Sequence, residues 1–88
     1  MTKPIIFSSH AKRQMLLRGT EENEAITTIR STAWQPAKYG KFHACLRFDF
    51  NQLSPVNQQF YQFKTVDVIF VDEPNEIVVV TVKVYYHN

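Results

Sequence analysis

Cysteine, glycine and long apolar runs are scarce in this chain of 88 residues. The single cysteine, Cys45, has no partner for an internal disulfide, and two glycines are too few for a glycine-rich phosphate-binding loop. No stretch of about 18 apolar residues occurs, so no membrane-spanning helix and no membrane partner are expected. The start of the chain lacks the long apolar segment of a signal peptide. Together these absences predict a soluble, cytoplasmic protein.

The composition is typical of a small globular domain. Hydrophobic residues make up 44% of the chain, which is too many for a disordered protein. A length of 88 residues predicts one domain, spanning residues 1–88, with a modest core. The 10 Lys and Arg residues exceed the 8 Asp and Glu residues, for a net charge of +2. This weak basic bias permits a nucleic-acid partner but does not indicate one by itself.

The most strongly patterned stretch is the C-terminal segment Glu76–Tyr86, whose β-branched and aromatic residues predict a central strand. With a period of two, one face is apolar throughout, and the other changes from apolar to polar along the strand. We expect the first face on the core and the polar end of the second face in solvent. The first set is Val78, Val80, Val82, Val84 and Tyr86, and the second is Ile77, Val79, Thr81, Lys83 and Tyr85.

A second alternating stretch, Lys41–Phe50, predicts a half-buried antiparallel strand. Its core face would carry Phe42, Ala44, Leu46, Phe48 and Phe50. Its other face would carry Lys41, His43, Cys45, Arg47 and Asp49.

Two helices are expected before these strands. A serine before His10 can cap a helix that runs to Arg18 and stops at Gly19. Thr20 starts a second helix, which ends near Ser31. The predicted fold is therefore α+β, with two N-terminal helices packed on one face of an antiparallel sheet of three to four strands, in the order β-α-α-β-β-β.

The remaining segments are assigned from their turn and breaker residues. Pro4–Phe7 is a short strand or an extended arm, and Trp34–Tyr39 is an edge strand or an extended segment because Pro36 excludes a central position. The polar stretch Asn51–Gln59 predicts a loop. Phe60–Lys64 fits either the start of the next strand or a bulged part of it.

No known metal or cofactor motif is present, so neither a metal nor a cofactor is predicted. The three histidines, His10, His43 and His87, lie far apart without ligand spacing. A zinc site assembled only in the folded chain stays open as the alternative. Cys45 has His43 two residues away on the same strand face, but a lone strand cysteine is more often inert packing than a nucleophile.

The polar faces of the two long strands carry the richest chemistry. Lysine and arginine bind phosphates, tyrosine stacks on bases, and histidine transfers protons. Such groups suffice for RNA cleavage without a metal, which needs a base for the 2′-hydroxyl, a cation for the phosphate and an acid for the leaving oxygen. The alternative is a solvated sheet face, where these residue types are routine. The candidates are Lys41, His43, Arg47, Lys83, Tyr85 and His87.

Three residues of the first helix are further binding candidates. His10 is either a site residue or a hydrogen-bonded structural histidine that faces the sheet. Arg13 and Arg18 are helix-surface cations, and Arg18 also complements the helix dipole in the last turn.

The segment Phe7–Gly19 resembles the opening of an uncharacterised bacterial family of small domains of unknown function. The shared pattern is His-Ala, a Met four residues after the Ala, and then Arg-Gly. The chain departs from the pattern at Gln14, where the family usually carries Arg, and after Gly19, where the family tends to have an apolar residue and then Ser. The Ile77–Val82 segment also resembles that family's last strand. The matching motif residues are His10, Ala11, Met15, Arg18 and Gly19.

That family is similar in predicted fold to the RelE/ParE-like toxins of toxin–antitoxin pairs, many of which cleave mRNA on the ribosome. The resemblance implies a toxin that is a metal-independent ribonuclease, with RNA or the ribosome as its target and an antitoxin protein as its partner. By residue type, Arg47 and Lys83 would neutralise the phosphate. Tyr85 would stack a base or donate a proton, and His87 or His43 would be the acid–base group.

Two other functions fit the sequence. One is a non-catalytic module that binds nucleic acid or protein, which the small net charge favours. The other is an accessory protein that self-associates through its edge strand, with Trp34 and Tyr39 as anchors.

Overall fold

Two helices pack on one face of a five-stranded sheet in the computed structural model, which describes residues 3–88. The first two residues of the predicted domain lie outside the described part. A 3₁₀ turn at Lys38–Gly40 precedes the first long strand. The other elements are β1 (Ile5–Phe7), α1 (Ser9–Arg18), α2 (Glu22–Ser31), β2 (Gln35–Pro36), β3 (Phe42–Leu53), β4 (Phe60–Asp72) and β5 (Ile77–His87).

The sheet has the strand order β1-β5-β4-β3-β2. Strands β2 to β5 pair in antiparallel fashion, whereas β1 runs parallel to β5. The predicted α+β class and the order β-α-α-β-β-β are confirmed. The sheet is mixed because of β1, and it has five strands because the predicted edge segment contributes β2, a two-residue edge beside β3.

The ends of both helices follow from capping chemistry. Ser8 accepts a hydrogen bond from a free N–H of the first turn of α1, and Gly19 ends that helix in the left-handed region at φ 79°. Helix α2 starts later than predicted, since Glu21 rather than Thr20 is its N-cap. Glu21 forms a capping box with Glu24, in which each side chain accepts from the other residue's backbone N–H.

The core lies between these helices and the sheet. Helix α1 buries Ala11 and Met15, and α2 buries Ala25 and Ile29, which are each four residues apart and so share one face of their helix. Leu46, which the alternation of β3 placed in the core, is only half-buried. The strand residues of the core are Ala44, Val66, Val68, Phe70, Ile77, Val79 and Val82.

A β-bulge interrupts the pairing of β5 with β4. Ile69 is opposite Thr81, but the next residue, Phe70, is opposite Val79. Val80 is therefore an extra residue on β5 with no partner of its own. An extra residue bends the strand and changes the face that the following side chains occupy.

The bulge changes which residues of β5 face the core, so the predicted faces of this strand need correction. Ile77 and Val79 are buried before it, and Val82 is buried after it. The prediction that Val78 and Val80 face the core is wrong, because a strict period of two does not continue across an inserted residue. Ile77 and Val79, predicted on the covered start of the opposite face, lie in the core instead. The polar end of the strand still faces away from the helices, as expected.

The two longest strands extend further than the sequence predicted. Leu53 of β3 still pairs with Phe60 of β4, beyond an irregularity that follows Asp49. The predicted loop Asn51–Gln59 is therefore wrong over its first three residues, which belong to β3. Phe60–Lys64 is the start of β4, and the extra residue at the irregularity belongs to β3, so the first of its two interpretations is confirmed.

A buried lysine joins the sheet to the corner between the helices. Lys64, only 6% exposed, donates to the Glu24 carboxylate at 2.8 Å and to the Gly19 carbonyl at 3.0 Å. The Tyr86 hydroxyl donates to the Arg18 carbonyl beside it. A lysine is rarely this buried unless it is paired, so this network fixes where the corner sits on the sheet.

Gly19→Ala should lower the free energy of unfolding by roughly 3 kcal/mol or more, because strain and overpacking add. The residue has φ +79°, and a Cβ would lie 2.5 Å from Pro55 Cγ and 2.7 Å from the Tyr86 hydroxyl oxygen. Gly40→Ala is the matched control. Its φ is +72° with nothing within 4 Å, so only the backbone cost of about 1–2 kcal/mol applies. Urea denaturation measures both, and equal losses would contradict a tightly packed corner.

The Lys64–Glu24 pair makes stability depend on pH. Burial raises the pKa of the Glu24 carboxyl, but hydrogen bonds from Lys64, the Glu21 amide and Thr20 outweigh it, and the net pKa lies below its usual value. A group whose pKa is lowered on folding stabilises the fold above its unfolded pKa, about 4.3 for glutamate. That contribution is lost as the pH falls through the lower, folded value.

Glu24→Gln should therefore cost about 1.5–3 kcal/mol at neutral pH, and its difference from the unaltered protein should shrink as the pH falls below about 4. Glu22→Gln removes an exposed carboxylate from the same helical turn and should cost less than about 1 kcal/mol. Denaturant titrations across this pH range test both. A cost for Glu24→Gln that is the same in acid as at neutral pH would refute the ionic contribution.

Candidate functional site

The face of the sheet opposite the helices, which we call the open face, carries all four residues predicted to be catalytic. They lie on β3 and β5, on either side of β4. Arg47, Lys83 and Tyr85 are exposed, and His87 is half-buried. Three adjacent cross-strand rows define this surface, namely Cys45–Asp67–Lys83, Arg47–Thr65–Tyr85 and Asp49–Phe63–His87.

Phe63 organises one end of the open face. The guanidinium carbon of Arg47 lies 4.5 Å from the centre of the Phe63 ring, which is a cation–π distance. The His87 ring is centred 5.8 Å from the same phenyl ring, and its Nε2 lies 2.9 Å from Thr65 Oγ1. Phe63 and Thr65 therefore hold a cation and an imidazole on one patch.

A cleft of about 450 Å³ opens at the other end of the open face. Lys41, His43 and Lys83 line it, together with the segment Pro36–Tyr39 that follows β2. The Tyr39 ring is 90% exposed, and Lys41 Nζ lies 5.5 Å from its centre. An exposed aromatic ring beside ammonium groups suits a nucleotide, because the base can stack while the phosphate binds the cations.

Between the cleft and the Phe63 end lies a cluster of His43, Cys45 and Asp67. His43 Nδ1 is 3.4 Å from Asp67 Oδ1. Partial burial, and after it the hydrogen bond and charge of Asp67, raise the pKa of the Cys45 thiol to about 11. The thiol is therefore protonated at neutral pH, which argues against a free nucleophile. The cluster does bring nitrogen, sulfur and oxygen atoms together, so it could hold a metal.

Three predicted binding residues lie on α1, which packs on the other side of the sheet. His10 and Arg13 are exposed there. The interpretation of His10 as a histidine facing the sheet is wrong, because its neighbour Ala11 is the inward residue. Arg18 is half-buried, and its Nη1 donates to the Val82 carbonyl at 2.7 Å. The structure thus keeps His10 and Arg13 away from the open face, whereas Arg18 lines a small cleft at the edge of β5 together with Lys83, Val84 and Tyr85.

Gln14 and Arg18 together satisfy the backbone of β5 at Val82. The N–H of Val82 donates to Gln14 Oε1 at 2.9 Å, and Arg18 takes the carbonyl of the same residue. Strand β1 pairs with β5 only as far as Val79, so these side chains continue where the strand partner ends. The departure from the family pattern at Gln14 therefore has a structural role.

Sequence analysis missed Phe63, Thr65 and Asp67, which all belong to β4. Asp67 is the polar residue within an apolar run, a sign that its side chain points outward. Phe63 and Thr65 share its face by the period of two. The signal was hidden by Lys64, a charged residue that is buried on the opposite face and breaks the apparent alternation.

Comparison of the chain with protein-family models, curated proteins and solved structures finds no match. Within residues 3–88, no helix is long and apolar enough to cross a membrane.

The raised pKa of Cys45 has a direct kinetic consequence. At about pH 8, iodoacetamide should alkylate Cys45 at least about tenfold more slowly than a free cysteine, whose pKa is about 8.5. Asp67→Asn removes the neighbouring charge and should accelerate the reaction, whereas Asp49→Asn, two rows away, should not. Mass spectrometry of timed samples measures the rates. Alkylation at the rate of a free cysteine would show that Asp67 does not hold the thiol protonated.

Proposed function

We propose that the protein is a RelE-like toxin, a ribonuclease that cleaves mRNA on its open face with protein side chains alone. The observation that carries the proposal is the grouping of Arg47, Lys83, Tyr85 and His87 in three adjacent rows. The α+β fold, with two N-terminal helices on the sheet, agrees with the resemblance to RelE/ParE-like toxins. Those four residues are of the types that such enzymes use.

The reaction is a transfer of the phosphate to the adjacent 2′-hydroxyl. The 2′-oxygen attacks phosphorus, the bond to the 5′-oxygen breaks, and the products are a 2′,3′-cyclic phosphate and a free 5′-hydroxyl. A base takes the proton of the 2′-hydroxyl, and an acid supplies one to the leaving oxygen. His87 is one such acid–base group, and Tyr85 is the proton donor or the surface on which a base stacks.

Arg47 and Lys83 supply the charge stabilisation. The phosphorane that forms during attack carries more negative charge on its oxygens than the substrate does, so fixed cations lower the barrier. The stacking of Arg47 on Phe63 restricts the guanidinium before RNA arrives. His43, in the cleft, is the alternative acid–base group for a phosphate bound nearer Lys41.

The net charge of +2 bears on how the substrate is presented. A protein with so little excess charge gains little affinity from long-range attraction to free RNA. Presentation of the mRNA by the ribosome would supply the missing affinity, and an antitoxin protein would block the open face until it is removed.

The test is induction of the protein in bacteria, followed by growth measurement and mapping of RNA 5′ ends. We expect growth arrest and new 5′-hydroxyl ends within messages. Arg47→Ala and His87→Gln should each abolish both effects. Arg47→Ala should change the free energy of unfolding by less than about 0.5 kcal/mol, because an exposed cation contributes little to folding.

Lys12→Ala is the matched control, since it removes an exposed cation from α1 on the other side of the sheet. It should remain fully toxic. Normal growth during high soluble expression of the unaltered protein would refute the proposal that the protein is a toxin. Toxicity that survives both open-face substitutions would refute the site.

A non-catalytic nucleic-acid-binding module is the second candidate, favoured by the exposed Tyr39 beside the lysines of the cleft. It predicts RNA binding that weakens steeply with salt, without cleavage. Self-association through the edge strand has less support. Trp34 packs edge-on against Phe70 with ring centres 4.9 Å apart, and its Nε1 donates to the Ile29 carbonyl. The indole is therefore packed against the core rather than available as an anchor for a second copy.

A further inference from the structure

His43, Cys45 and Asp67 supply one ligand atom each, and these atoms all lie within 4.8 Å of one another. Two strands fix the arrangement. His43 and Cys45 are two residues apart on β3 and share a face, and Asp67 of β4 is directly opposite Cys45. Asp67 is paired on both sides, with β3 and β5, and His43 is paired with both β2 and β4. Cys45 lies beyond the two-residue β2 and is paired with β4 alone.

The separation of His43 Nδ1 and Asp67 Oδ1 matches that of two ligands in a tetrahedral zinc site. With Zn–N and Zn–O bonds of about 2.1 Å and Zn–S bonds of about 2.3 Å, ligand atoms at tetrahedral angles are about 3.4–3.6 Å apart. The Nδ1 to Oδ1 distance between His43 and Asp67 is 3.4 Å, which already fits. That distance is also longer than a usual hydrogen bond, so His43 and Asp67 are not held together by a strong hydrogen bond. Cys45 Sγ lies within 4.8 Å of the other two ligand atoms, so a shift of the sulfur by about 1 Å through rotation of its side chain completes the set.

The charges around the cluster favour a cation at this point. The carboxylate of Asp67 disfavours a second negative charge on the Cys45 sulfur, and a divalent ion would relieve that repulsion. Lys83 is opposite Asp67 on β5, but within the described residues it forms no ion pair with it at 4.0 Å or less. His43 and Asp67 also line the cleft, so a fourth ligand position would be open to water.

We propose that His43, Cys45 and Asp67 bind Zn²⁺ through Nδ1, Sγ and a carboxylate oxygen, with solvent in the fourth position. The proposal does not depend on ribonuclease activity. Binding requires neutral imidazole and a thiolate, so the Cys45 thiol loses its proton to solvent as the Zn–S bond forms, and one proton is released for each ion. Affinity should therefore rise with pH through the neutral range. An occupied site would also remove His43 from the acid–base groups of the open face.

Titration with Co²⁺ alone tests the site, because Co²⁺ adopts the same geometry and is coloured. We expect one ion per chain, the near-ultraviolet sulfur-to-cobalt charge-transfer band, and the intense visible bands of four-coordinate Co²⁺. Zn²⁺ should displace the Co²⁺, and both the charge-transfer band and the visible bands should disappear. Calorimetry in two buffers of different ionisation enthalpy should report the release of one proton.

Variants separate a built site from a single reactive thiol. Cys45→Ser should abolish the charge-transfer band, and Asp67→Asn and His43→Gln should each weaken Co²⁺ binding by more than about tenfold. His10→Gln, which changes an exposed histidine on α1, should leave binding unchanged. Circular dichroism checks that each variant is folded. The proposal would be overturned if the unaltered protein showed no charge-transfer band, or if Asp67→Asn and His43→Gln bound Co²⁺ as tightly as the unaltered protein does.

Discussion

The β-bulge at Val80 is the constraint on which the rest of this molecule depends. Without the extra residue, β5 could bury Ile77 and Val79 only by turning Lys83 toward the helices. A shift of one residue moves every later side chain to the other face of a sheet. The bulge lets the first part of the strand fill the core while the last part presents its polar residues to solvent. Both the core and the open face follow from that single insertion.

The helices then hold this register in place. Gln14 and Arg18 bond both backbone groups of Val82, just after the bulge, so α1 fixes the strand where its alternation has changed. At the C-terminal end of the same helix, Tyr86 bonds the carbonyl of Arg18 and Lys64 bonds the carbonyl of Gly19. The open face is therefore built on strands whose opposite side is anchored at several points, which suits a surface that must hold reacting groups in fixed positions.

The sequence predicted the features that depend on local chemistry and period. A serine cap before His10, the stop at Gly19 and the alternation of β3 are local patterns, and they were enough to predict the fold class. It did not predict the bulge, because nothing within β5 alone distinguishes Val80 from the valines around it. The bulge is visible only in the pairing with β4.

The cross-strand partners were beyond the sequence for the same reason. The placement of Arg47 and Lys83 on one face needed only the period of two. That Asp67 lies opposite Cys45, and Phe63 beneath Arg47, depends on the register between β3 and β4, which the sequence does not state. Lys64 made the pattern of β4 still harder to read. Lysine is usually exposed, but this one is buried because it pairs with Glu24.

Mapping of amide chemical shifts during titration with single-stranded RNA tests the central claim most directly, because it shows which face of the sheet RNA contacts. The account predicts that the largest shifts fall on the open-face residues of β3, β4 and β5, from Arg47 through Thr65 to Tyr85 and His87. The shifts should disappear at high salt, since phosphate contacts are screened. Shifts confined to the exposed surface of α1 and α2, or no shifts at low salt, would contradict it.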